Sequence, residues 1–118
     1  MEVVSVSRHK GEFFRVLQET ERSQTAVMTI APGADAGPAE EHAGDQILYV
    51  LEGQGLVQSR GEAAVTIRPG DVIRTPADEW HWHGATPENF MTHVSITNGT
   101  TSWGDHVSDE DYAAGAGT

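Results

Sequence analysis

The feature that most constrains this chain is a pair of short segments, residues 40–53 and 70–81, in which metal-capable side chains recur at strand spacing and are tied to glycine and proline turn signals. Glu40 and His42 are two residues apart. On a strand, that spacing points both side chains to one face. Gln46 has the same parity and can reach that face. His81 belongs to a separate strand. Oxygen and nitrogen donors converging from separate strands imply a mononuclear site inside a small barrel.

The spacing resembles that of the cupin superfamily. The first cupin motif usually reads Gly, five residues, His-x-His, three or four residues, Glu, six residues, Gly. The second reads Gly, five residues, Pro-x-Gly, two residues, His, three residues, Asn. This chain has Glu40-Glu41-His42, three residues, Gln46, six residues and Gly53, and then Gly70, five residues, Pro76-Ala77-Asp78, two residues and His81. Glu40 stands where the first His is expected and Gln46 where the Glu is expected. Asp78 replaces a Gly, and Ala85 replaces the Asn. The resemblance implies an all-β fold: a single-domain cupin over residues 1–118, built as an antiparallel jelly-roll β-barrel, with its core over about 24–98 and a tail over about 99–118. It also implies a divalent ion held by Glu40, His42, Gln46 and His81. A usual cupin site has three His and one carboxylate. Two His, one carboxylate and one amide leave the same total charge with a divalent ion.

The stretch His81-Trp82-His83-Gly84-Ala85, followed by Met91-Thr92-His93, Trp103, His106-Val107 and Asp109-Glu110, resembles a narrower group over about residues 25–112. These are small single-domain cupins that include bacterial manganese-dependent hydroxynitrile lyases. Their ligands are His-x-His, a Gln three residues further on, and the His before Trp-His-Gly. Mapped onto this chain, Glu40 is the one departure in that set. The same resemblance implies His93 as an active-site base.

The residues by themselves leave alternatives. His42 and His81 are either ligands or satisfied core histidines. Glu40 is a ligand, a solvent-facing neighbour of Glu41, or an unligated general base whose burial raises its pKa. His83 shares parity with His81, so it faces the same cavity or lies at its rim. His93, with Met91 and Ser95 at the same parity, is expected to line the cavity. An imidazole there suits proton transfer near neutral pH, so His93 and His83 are the candidate catalytic residues. His9 and His106 have no evident partner and read as surface residues.

Charge narrows the partners. There are 18 acidic and 7 basic side chains, a formal net charge of -11. Such a surface repels phosphate backbones and argues against nucleic acid. The acid excess, with Lys10 as the single lysine, fits either a salt-adapted surface or GC-rich codon usage. The absence of cysteine excludes disulfides and thiolate metal sites. No run approaches the roughly 18 apolar residues of a membrane span. The segment Met1-Glu2-Val3-Val4-Ser5 lacks a basic region followed by a long apolar stretch, so no signal peptide is expected and the cytoplasm is the expected location.

Strand signals recur every 8–12 residues, the pattern of a sandwich or barrel. Residues 3–7 and 13–17 read as short edge strands; 25–30, 46–52, 72–75, 80–85 and 90–97 read as strands. Residues 56–59 and 63–67 read as a hairpin across Arg60-Gly61, and 34–38 as a loop. Ser108-Asp109-Glu110-Asp111 reads as a helix start, with fraying after 113.

These readings converge on a small metalloenzyme for an organic molecule bearing a hydroxyl or carbonyl group. Cyanohydrin cleavage is its most concrete form, with Mn as the leading ion and Fe, Ni or Zn compatible with the donors. A cupin dioxygenase and a non-enzymatic small-molecule-binding cupin are the alternatives. A homodimer is expected from the resemblance and from edge strands that need covering.

Overall fold

The computed structural model describes residues 7–9, 12–34 and 38–116. The strands are β1 (Ser7–His9), β2 (Glu12–Glu19), β3 (Ser23–Ile30), β4 (Pro38–His42), β5 (Gln46–Gly53), β6 (Gly55–Ser59), β7 (Val65–Ile67), β8 (Val72–Thr75), β9 (His81–Ala85), β10 (Met91–Asn98) and β11 (Thr101–His106), followed by α1 (Asp109–Gly115). They form two sheets, one of six strands in the order β1-β2-β3-β10-β5-β8 and one of five in the order β11-β4-β9-β6-β7. All pairings are antiparallel. The two sheets make the jelly-roll barrel of the cupin fold. Among the described residues, no helix is long and apolar enough to cross a membrane.

Alternation along the strands decides what fills the interior. In β5, Gln46, Leu48 and Val50 are buried while Tyr49 and Leu51 are exposed. In β10, Met91, His93, Ser95 and Thr97 are buried while Ile96 is exposed. Ile30, Val50, Ile67, Ala85 and Met91 pack together as an apolar cluster between the sheets. Met91 shares the inward parity of His93, but it belongs to this apolar cluster and does not line the polar cavity, contrary to expectation.

Turns lock this register. Gly53 has φ +80°, and a Cβ there would run into the Phe90 carbonyl, so the turn into β6 requires glycine. Asp78, at the position where the motif has Gly, adopts φ 62°. Aspartate is among the residues that tolerate this left-handed region. Its backbone N–H donates to the His42 carbonyl at 2.8 Å and ties the turn before β9 to the end of β4.

The hairpin of β6 and β7 forms as expected, with Val57 opposite Val65. Residues 13–17 fall in β2, which lies between β1 and β3 and is not an edge. Residues 3–6 and 35–37 of the expected first strand and loop lie outside the described residues.

The segment read as a tail is built into the barrel. β11 pairs with β4, placing Trp103 opposite Glu40 and Thr101 opposite His42. The Ser108 side chain caps α1 by accepting from the Asp111 N–H. Tyr112 and Ala116 then pack on Leu56, Trp82 and Val107, so α1 covers the outer face of the five-stranded sheet. Asn98-Gly99 was the unused signal for this continuation. Gly99 has φ +78°, and the turn carries the chain from the larger sheet to the smaller one.

Candidate metal centre

Glu40 and His42 project from β4, Gln46 from β5, His81 and His83 from β9, and His93 from β10. Glu40 and His81 are direct register partners. Gln46 and Thr97 are partners across β5 and β10. All six are buried. Together with Met28, Ser95, Thr97, Thr101 and Trp103, five of them line a cavity of about 270 Å³ between the sheets; His81 closes in beside Glu40 and Gln46. A hollow of about 300 Å³ on the other side of β9, bordered by Arg60, Trp80 and Asp105, lacks such a convergence of donors.

One carboxylate oxygen is the focus. Glu40 Oε1 lies 3.3 Å from His42 Nε2, 3.5 Å from His81 Nε2 and 4.0 Å from His83 Nδ1. Glu40, His81 and His83 each offer a ligand atom within 4.8 Å of the others. Gln46 Oε1 lies 2.9 Å from His81 Nε2, and the Gln46 Nε2 donates to Thr97 Oγ1 at 2.9 Å. Outer partners orient two of the rings. His42 Nδ1 meets Thr101 Oγ1 at 2.8 Å, and His81 Nδ1 meets the Glu79 carbonyl at 3.1 Å. The Glu79 carbonyl and the Gln46 amide oxygen both only accept, so His81 meets an acceptor at each ring nitrogen; with the proton held on Nδ1 by Glu79, Nε2 is the nitrogen that a metal ion would take in place of a proton. Sequence reading did not find Thr97, Thr101 or the Glu79 carbonyl, because each reaches the site through pairing that only the folded chain establishes.

The donor chemistry fits a cation. Lone pairs of Glu40, His42, Gln46, His81 and His83 converge, and acceptors in close approach repel unless a proton or a metal ion lies between them. His42 Nε2 and His83 Nδ1 are buried without a hydrogen-bond partner, a costly state for a polar atom. At 3.3 Å the His42 contact with Glu40 is electrostatic and lacks hydrogen-bond alignment. This mixed oxygen and imidazole set suits Mn, Fe, Ni or Zn.

Protonation follows the same geometry. In the metal-free protein a proton takes the place of the cation: burial acts to raise the Glu40 carboxyl, but N–H groups of His42 and His81 turned toward it, helped by the charge of His83, hold it well below the usual carboxylate range. Glu40 is therefore an anion and not the raised-pKa base among the sequence alternatives. Burial pushes His83 down to about 4, with His81 and His42 acting in the same direction against Glu40. Burial also pushes His93 down to about 3, with His83 adding to it. Both rings are thus neutral near pH 7. The His93 ring meets the His83 ring edge-on, with centroids 5.0 Å apart; the Val94 backbone opposes the downward shift weakly, but neither ring nitrogen has a well-aligned hydrogen-bond partner. The side chains of His9 and His106 lie outside the described residues.

Known proteins share this architecture. Over an alignment 91 residues long, this chain is 40% identical to an (R)-mandelonitrile lyase of Granulicella tundricola, covering 74% of this chain and 69% of that protein. An acireductone dioxygenase of Trichodesmium erythraeum is 28% identical over 107 residues, and the match spans 59% of its length. The crystal structure of a cupin-like protein from Thermotoga maritima superposes with a TM-score of 0.84 at 31% identity, covering 91% of this chain and 86% of that one. A polyketide cyclase from Streptomyces resistomycificus, 19% identical with a TM-score of 0.72, shares the fold. Residues 26–96 match the cupin domain family, and with the jelly-roll barrel and its buried Glu40, His81 and His83 group this chain belongs to that family.

Proposed function

We propose that this protein is a metal-dependent lyase that cleaves small cyanohydrins. The observation that carries the proposal is the convergence of Glu40, His42, Gln46 and His81 beside a buried, neutral, unpartnered His93 in one cavity. The 40% identity to a mandelonitrile lyase supports the same reading. The ion is proposed to be manganese, held by Glu40, His42, Gln46 and His81. When bound, it would act as a Lewis acid toward the substrate oxygen.

The chain's own residues do the rest. His93 accepts the hydroxyl proton through a ring nitrogen that has no other partner. The electrons of the O–H bond form the carbonyl, and the C–CN bond breaks with its pair leaving on cyanide. The imidazolium, destabilised by burial, then returns the proton to cyanide as HCN. Met28 and the exposed Trp103 border the cavity and offer apolar surface to the organic part of the substrate. The proposed setting is cytoplasmic. The proposed assembly is a homodimer formed through the outer face of the six-stranded sheet, where Tyr49, Leu51, Val72 and Ile96 are exposed.

Elemental analysis of protein purified without added metal, paired with cyanide release from mandelonitrile, tests the reading. Glu40→His should raise cleavage at equal metal occupancy, because replacing a carboxylate by neutral imidazole removes one negative charge from the site and so would raise the effective positive charge and electrophilicity of a bound divalent ion. Protein that binds no divalent ion, or loaded protein that releases no cyanide, rejects it. The acireductone dioxygenase relative favours oxygen chemistry as the second reading. Iron with substrate-dependent oxygen uptake would select it.

A further inference from the structure

We infer that His83 is itself a metal ligand, binding through Nδ1, and not a proton carrier. This rests on the metal-centre reading above and extends it to a residue outside the motif's donor set. His83 Nδ1 is buried, has no hydrogen-bond partner, and lies 4.0 Å from the Glu40 Oε1 that His42 and His81 also approach. Two atoms bound to one ion at 2.0–2.1 Å are about 2.9–4.2 Å apart for angles from 90° to 180°. The three imidazole distances to Glu40 Oε1, 3.3, 3.5 and 4.0 Å, all fall in that range.

The rings agree. An imidazole centroid lies about 3.2 Å from the ion it binds, so two rings on one ion are at most about 6.4 Å apart. The His42–His81 centroids are 5.2 Å apart, and the His81–His83 centroids are 6.3 Å apart at 20° between planes. Both separations lie within that limit. His83 is held there because it shares the inward parity of His81 on β9 and is fixed between β4 and β6. With Glu40, His42, Gln46 and His81, it makes five protein donors, which leaves one position of an octahedral ion for substrate. A single position fits a substrate bound through one oxygen and disfavours chelating substrates.

The ring nitrogen used gives the test a signature independent of activity. His42 and His81 point Nδ1 outward and Nε2 inward, whereas His83 must bind through Nδ1 with its proton on Nε2. Long-range proton–nitrogen correlation spectra of zinc-loaded, 15N-histidine-labelled protein should show three metal-bound rings, two through Nε2 and one through Nδ1. His83→Ala should remove the Nδ1-bound ring and weaken zinc binding at least about 10-fold in chelator competition, the lower end seen even when an outer partner of a ligand is lost. Two bound rings, with His83 Nδ1 unperturbed by zinc, overturn the inference while leaving the metal centre intact. Zinc, manganese and nickel all failing to bind wild-type protein overturns both. The spectra are read on wild-type protein, so a His83→Ala chain that fails to fold does not remove the test.

Discussion

The two ends of the barrel interior are built on the same strands and have opposite chemistry. Along β5 the inward residues run Gln46, Leu48, Val50; along β9, His81, His83, Ala85; along β10, in reverse, Thr97, Ser95, His93, Met91. One end closes as the apolar cluster of Ile30, Val50, Ile67, Ala85 and Met91. The other holds a carboxylate, an amide and four imidazoles around the cavity. The apolar end gains from burial itself, since each large side chain removed from water contributes roughly 1.5–3 kcal/mol. The polar end is costly until its lone pairs find a partner. The contrast assigns stability to one end and chemistry to the other.

The largest expected effect breaks the chemical end alone. His93→Ala should lower turnover of a cyanohydrin by roughly 10²–10⁴-fold, the contribution of a general base, while metal content stays at the wild-type level. Full turnover in that variant would move proton transfer to another group. Ile30→Ala should do the converse. It should cost about 2–5 kcal/mol of stability by opening a cavity in the apolar cluster, measured by denaturant unfolding, with zinc affinity of the folded protein unchanged. Loss of metal in Ile30→Ala would show that the two ends are coupled.

The smallest effect sharpens the contrast through pH. In metal-stripped protein, His83 and His93 have folded values of about 4 and about 3, below the ordinary value of 6.5. The unfolded chain therefore takes up protons first as pH falls below about 6.5. Stability should be complete above that pH and decline toward pH 4, on the order of 1 kcal/mol per unit for each ring. His93→Phe should flatten this slope, whereas Ile30→Ala should shift the curve without changing it. A slope unaltered by His93→Phe would mean that the ring is solvated in the folded protein.

Much of this was legible before folding was considered. Alternation put Glu40 and His42 on one face, His81 and His83 on another, and His93 opposite in parity to Val94, because side-chain direction along a strand is a local property. Turn residues such as Gly53 and Pro69-Gly70 marked where strands end. Asp78 in place of Gly did not disrupt its turn, because Asp too adopts positive φ. The segment after Asn98 was misread as a tail because β11 gains its partner, β4, from far away in sequence.

The sequence by itself determined the strands, their inward faces and the kinds of donor available. Only the tertiary structure decided which donors meet. The Glu40–His81 register, the Thr101 hydroxyl behind His42, the approach of His93 to His83 and the inward Nδ1 of His83 depend on how two sheets pack and on which strand borders which. Parity fixes a face within one strand, but it carries no information about the distance between two strands that only long-range pairing brings together.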